Sequence, residues 1–134
     1  MTFFVDTSAL YALMDGDDPN HAAAWAFWRG AADSARSPIT HNYVVLESCA
    51  LVHRRLGIQA LQDLVDVLLL PVTTVFVEEE LHRAALLGVL NARLRDVSLV
   101  DTVSFEVMRR LGIDTAFAFD SHFGRYGFTT LPSR

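Results

Sequence analysis

The chain has 134 residues, 51% of them hydrophobic, and a formal net charge of −5. That length suits one domain spanning residues 1–134 with a sizeable core, and no apolar run reaches the ~18 residues needed to cross a membrane. The acidic balance excludes a broad nucleic-acid-binding surface built on clustered cations, though not a nuclease whose own metal brings the positive charge.

In chain order, Phe3-Phe4-Val5 predicts a buried strand over residues 2–5, followed by a helix near 8–14. Asp15-Gly16-Asp17-Asp18-Pro19 breaks that helix; the next begins at Asn20 or His21 and runs to about residue 33. Ser37-Pro38-Ile39 is a brief second strand before a helix over about 41–55 that Gly57 closes. A helix over about 58–69 stops before Pro71, and the β-branched run Val72-Thr73-Thr74-Val75-Phe76-Val77 is the third strand. Glu78-Glu79-Glu80 puts negative charge at the positive end of a helix reaching about residue 94. A helix over about 99–111, a strand over 115–119 and a last strand near 128–131 follow. Strands alternating with helices predict an α/β sandwich around a mostly parallel central sheet.

Residue usage narrows the chemistry. All eleven basic residues are arginine, so Schiff-base, P-loop-lysine and receiver-type lysine mechanisms are excluded. Arginine instead suits bidentate contact with phosphate or carboxylate. The single cysteine, Cys49, rules out an internal disulfide and reads as a small buried hydrophobe. Together with an amino terminus that lacks a secretion-signal pattern, it predicts a cytoplasmic protein.

Four acids stand where acids are costly. Asp6 ends the run Phe3-Phe4-Val5 and Asp120 ends Ala116-Phe117-Ala118-Phe119, at the carboxyl ends of strands where α/β folds bind ligands. Each also has a structural reading. Asp6 and Asp120 are good helix caps, and Asp101 follows Ser98 at capping-box spacing. Glu47 is harder to explain locally, because Tyr43, Val44, Ala50 and Leu51 predict an apolar surround and the nearest arginines on its helix, Arg54 and Arg55, lie about two turns away. Taken together, the four carboxylates form a hard-oxygen set suited to Mg²⁺ or Mn²⁺. Without metal they would repel one another and raise one another's pKa values.

Val5-Asp6-Thr7-Ser8-Ala9-Leu10, Asn42-Tyr43-Val44-Val45-Leu46-Glu47, Ser98-Leu99-Val100-Asp101 with Ser104-Phe105 and Met108, and Phe119-Asp120-Ser121-His122-Phe123 occur in this order along the chain. In this respect it resembles the PIN-domain ribonucleases, most closely the VapC-type toxins of bacterial toxin–antitoxin pairs. The resemblance covers essentially the whole chain. It implies a PIN-like three-layer sandwich and a metal-dependent endoribonuclease that leaves a 5′-phosphate and a 3′-hydroxyl. It further implies one or two Mg²⁺ or Mn²⁺ ions held by Asp6, Glu47, Asp101 and Asp120, with Thr7 acting through metal waters. An RNA substrate, a cognate antitoxin and a homodimer are the partners implied. Ser121 departs from relatives that often carry a basic residue there, and Asp96 reads as a solvated loop acid.

Other residues have plainer expectations. His21 and His82 read as helix-surface residues, His53 sits beside Arg54, and His41 is at a helix start; His122 follows Asp120 and could lie near the site, though a packing or solvent-facing role is the preferred reading. Trp25, Phe27 and Trp28 read as a dimer or partner contact; Arg93 with Arg95, or Arg109 with Arg110, either guide RNA phosphates or cap helix ends. Three rivals stand beside the metal nuclease. A histidine ribonuclease would ignore chelators and leave a cyclic phosphate. A phospho-acceptor domain lacks its lysine and an Asp-x-Asp pair. A non-enzymatic module whose acidic pocket binds a basic partner segment predicts binding without turnover.

Overall fold

A computed structural model describes residues 1–93 and 97–133; Arg95 and Asp96 lie outside the described residues. Strands β1 (Thr2–Val5), β2 (Ser37–His41), β3 (Thr73–Val75), β4 (Thr115–Phe117) and β5 (Thr129–Leu131) form one sheet in the order β3-β2-β1-β4-β5. Every pairing is parallel, where alternation alone predicted a mostly parallel sheet. The helices described are α1 (Thr7–Met14), α2 (His21–Asp33), α3 (Asn42–Leu56), α4 (Ile58–Asp63), α5 (Glu79–Ala92), α6 (Leu99–Leu111) and the short α7 (His122–Arg125). None is long and apolar enough to cross a membrane.

The central strand explains the layering. Phe3, Phe4 and Val5 are fully buried, so β1 is covered on both faces, as a central parallel strand should be. Successive side chains point to opposite faces. Phe3 meets Phe27 of α2 at 5.3 Å between ring centroids, whereas Phe4 meets Phe123 of α7 at 6.0 Å. Phe105 of α6 stands edge-on to Phe123 at 5.1 Å. A second apolar cluster joins Leu81 and Ala85 of α5 to Val103 and Val107 of α6.

Several element boundaries moved for identifiable reasons. The predicted helix over 58–69 is α-helical only through Asp63 and continues as a π-helical turn, Leu64–Leu68, in which the Leu69 N–H donates to the Leu64 carbonyl at 2.9 Å. Leu64 and Leu68 are both buried. The third strand keeps only Thr73–Val75, because the Val77 N–H is taken by the Asn42 side chain at 2.7 Å and Phe76 is exposed. α3 ends at Gly57, whose φ of 94° suits glycine.

The aromatics of α2 have a packing role. Phe27 and Trp28 pack on Phe117 of β4 at 4.7 and 5.9 Å, and the Trp25 indole N–H donates to the Leu13 carbonyl at 2.9 Å. Their rings pack onto the core of this chain while staying partly exposed, so core packing accounts for much of their aromatic surface. Cys49 is half-buried against the same core.

The strand order has a functional consequence. From β1 the chain adds β2 and then β3 on one side, then crosses back to place β4 and β5 on the other. Neighbouring strands β1 and β4 therefore continue in opposite directions, and the crevice at their carboxyl ends is where such sheets bind ligands.

Candidate active site

Asp6 leaves β1 at that crevice. Its Oδ2 accepts the Ser8 N–H at 3.2 Å and the Ser8 hydroxyl at 2.6 Å, so the same carboxylate caps α1 and faces the site. Ser8 Oγ also accepts the Phe119 N–H at 3.0 Å, tying the segment before Asp120 to the start of α1. Sequence reasoning assigned Ser8 no role; the bond spans 111 residues and has no local signal.

Asp120 lies three residues past β4, in the loop and not at the strand end as expected. Its Oδ1 accepts the His122 N–H at 2.8 Å, which opens the turn of α7. Asp101 sits in the first turn of α6, where Ser98 Oγ accepts its N–H at 3.0 Å, as the capping spacing predicted. Its carboxylate Oδ2 meanwhile lies 3.2 Å from His122 Nδ1, and Asp120 Oδ1 lies 2.7 Å from the same nitrogen. Asp101, Asp120 and His122 thus present ligand-type atoms all within 4.8 Å of one another.

Their electrostatics form one system. Burial pushes the Asp6 carboxyl up to about 7 against its two Ser8 hydrogen bonds, and the charges of Asp101 and Asp120 push further in the same direction. Asp101 is also raised, first by burial and then by Asp120; His122 opposes the rise and Glu47 adds to it. Asp101 thus feels both Asp120 and Glu47, Asp6 feels Asp101 and Asp120, and only Asp101 and Asp120 join the tight cluster.

Glu47 corrects the reasoning that singled it out. It is exposed, because the buried face of α3 runs through Val44, Ser48 and Val52, and Glu47 flanks that stripe. No burial cost argues for its role; its position does. Glu47 lines a cleft of about 330 Å³ with Thr7, Ala50, Leu51 and Arg54. Thr7 is 7% exposed, and its Oγ1 has no hydrogen-bond partner among the described residues.

The histidines fall differently from expectation. His122, read as a packing or solvent-facing residue, stands between two acids. A local signal reached only as far as Asp120, whose side chain bonds the backbone two residues on; the second acid, Asp101, is distant in the chain. His21 and His82 are partly buried, with Nδ1 at 2.7 Å from the Ala12 carbonyl and 2.5 Å from the Tyr43 hydroxyl, respectively. His41 is fully buried: its Nδ1 accepts the Tyr43 and Val44 N–H groups that start α3, and its Nε2 lies 2.8 Å from Ser104 Oγ of α6. Burial holds it down to about 4. Arg110 pairs with both oxygens of Glu80 at 2.8 and 3.1 Å, and Arg109 pairs with Glu106 at 3.2 Å, so both arginines are engaged within the fold. Arg93 is exposed at the end of α5.

A parallel sheet with acids converging at its switch point is a nuclease-like arrangement, and the chain belongs to the PIN domain family, whose model matches residues 3–129. It is 35% identical over 131 residues to the 23S rRNA-specific endonuclease VapC20 of Mycobacterium tuberculosis, covering 96% of each chain. The crystal structure of M. tuberculosis VapC20, a Sarcin-Ricin loop cleaving toxin, superposes with a TM-score of 0.83 at 34% identity over 95% of this chain and 96% of that one. VapBC2 from Rickettsia felis, bound to a DNA fragment from their promoter, shares the fold at a TM-score of 0.71 and 10% identity, covering 97% of both chains.

Proposed function

We propose that this chain is a metal-dependent endoribonuclease, the toxin of a type II toxin–antitoxin pair, in which Asp6, Glu47, Asp101 and Asp120 form the hydrolytic centre. The observation that carries the reading is the convergence of Asp101 and Asp120 with a third acid, Asp6, raised by burial and by both of their charges. Such a set is costly alone and favourable around a cation. The donor chemistry fits Mg²⁺ or Mn²⁺, and the unpartnered Thr7 hydroxyl in the Glu47 cleft fits a role toward metal-held water.

Asp6, Glu47, Asp101 and Asp120 would hold a divalent ion there, and its chemistry would be to supply positive charge to phosphoryl oxygens and to lower the pKa of water. The chain does the rest. Ser8 holds the Asp6 carboxylate in a fixed direction, and Ser98 caps the backbone turn from which Asp101 projects, so little reorganisation is needed on substrate binding. Glu47, exposed on its cleft, is placed to accept a proton from the attacking water. A histidine mechanism finds no support: His122 is the one histidine in the described acid cluster, and His41 is sealed against Ser104.

Ribosomal RNA is the substrate class we assign, by likeness to VapC20 at 35% identity over nearly the full length. Such a substrate would place the protein in the cytoplasm. A cognate antitoxin and a homodimer belong to the same proposal, supported by the family membership. The test is incubation of intact ribosomes with purified protein and Mg²⁺ or Mn²⁺, with and without EDTA, mapping cuts by primer extension. A discrete 23S cut that leaves a 5′-phosphate and vanishes in EDTA is expected. Cutting that persists in EDTA, or ends in a cyclic phosphate, would sink the metal mechanism. Binding of a basic peptide with no cutting of any RNA would favour the interaction module.

A further inference from the structure

The acid centre contains a nitrogen that an oxygen-only site does not need. His122 Nδ1 lies 2.7 Å from Asp120 Oδ1 and 3.2 Å from Asp101 Oδ2, and its side chain is 15% exposed. Two ligands at right angles around an ion with bonds of about 2.1 Å stand about 3 Å apart, and opposite ligands about 4.2 Å apart. The 3.2 Å separation matches neighbouring ligand positions and the 2.7 Å one needs only a slight opening; the three atoms lie within 4.8 Å of one another, so a small closure brings them into one coordination shell. Two backbone bonds hold the turns that carry His122 and Asp101. Asp120 Oδ1 accepts the His122 N–H at 2.8 Å, and Ser98 Oγ accepts the Asp101 N–H at 3.0 Å. Independently, the Thr7 hydroxyl is buried without a hydrogen-bond partner in the cleft it shares with Glu47, which points to a ligand shell not completed by protein atoms.

From this geometry we infer that His122 is a direct metal ligand through Nδ1, making the centre a mixed nitrogen–oxygen site that selects a first-row transition ion over Mg²⁺. The inference rests on the metal-dependent reading above. Imidazole is a softer donor than carboxylate; transition ions accept it readily, whereas Mg²⁺ favours hard oxygen ligands and keeps several waters. Ser121, between Asp120 and His122, is exposed, so only the flanking pair meets the cluster.

The experiment is pulsed electron paramagnetic resonance on tag-free protein loaded with Mn²⁺, together with calorimetric titration of Mn²⁺ and Mg²⁺. The expected spectrum shows the modulation of one directly bound ¹⁴N, absent in His122→Gln, with Mn²⁺ bound about tenfold tighter than Mg²⁺ by the wild type only. Protein grown with ¹⁵N-histidine must convert that signal to the ¹⁵N pattern, a readout that needs no folded variant. Mn²⁺ bound with no nitrogen coupling would overturn the inference and leave an oxygen-only centre standing. Coupling that survives in His122→Gln would overturn it equally. Failure to bind Mn²⁺ at all would bring down the metal-dependent reading itself.

Discussion

Asp6 is 4% exposed and lies near two other carboxylates, so its charged form is tolerated only when a cation compensates it. Its pKa rises from 3.8 in the unfolded reference to about 7 in the fold. Between those values the native state holds the extra proton, so the stability linked to Asp6 is full below 3.8 and is lost as pH rises through about 7. Asp6→Asn removes that dependence. In metal-free protein at about pH 8 the variant should be more stable to urea by about 2–4 kcal/mol, while RNA cleavage falls to background. Equal pH profiles for variant and wild type would contradict this. That Asp6, Asp101 and Asp120 would come together was legible in the sequence, because a carboxylate after an apolar strand or at a cap position needs a reason. His122 was not, because its role depends on Asp101, which is distant in the chain and brought close only by the packing of α6 beside α7.

At the scale of elements, α3 shows what amphipathic patterning can and cannot tell. Its extent was read nearly to the residue, since His41 caps it and Gly57 ends it. Its buried stripe was misplaced: apolar neighbours of Glu47 predicted burial, whereas the stripe passes through Val44, Ser48 and Val52. Short strands were read too long, because Phe76, Val77 and Phe119 have strand-like sequence but the positions of Val77 and Phe119 are set by the side chains of Asn42 and Ser8. α3 also carries Arg54, which lies seven residues past Glu47, about 10 Å along the axis, in the same cleft. That spacing suits a phosphate one or two nucleotides from the scissile one. Arg54→Gln should raise KM for RNA about 3- to 10-fold with kcat little changed and flatten the salt dependence of binding, with Arg54→Lys intermediate. A fall in kcat at unchanged KM would place Arg54 elsewhere in the mechanism.

For the whole molecule, strand count and α/β class followed from periodicity, but the order β3-β2-β1-β4-β5 did not. Pairing depends on how helices fill both faces of β1, and the β1–β4 pairing brings the ends of those strands together. Leu86, Leu87 and Leu90 of α5 remain exposed, and apolar clusters of this kind mark contact surfaces. We propose that a second copy covers them, so light scattering should give about twice the 14.9 kDa chain mass; a stable monomer at micromolar concentration would refute the homodimer. The central claim is that acids from four separate segments act as one hydrolytic centre. Its most direct test is the single-turnover cleavage rate of a ribosomal RNA fragment by Asp101→Asn beside wild type in saturating Mn²⁺. A loss of about a thousandfold or more, with the fold retained by circular dichroism, is the result predicted. Cleavage by the folded variant at the wild-type rate would contradict the account.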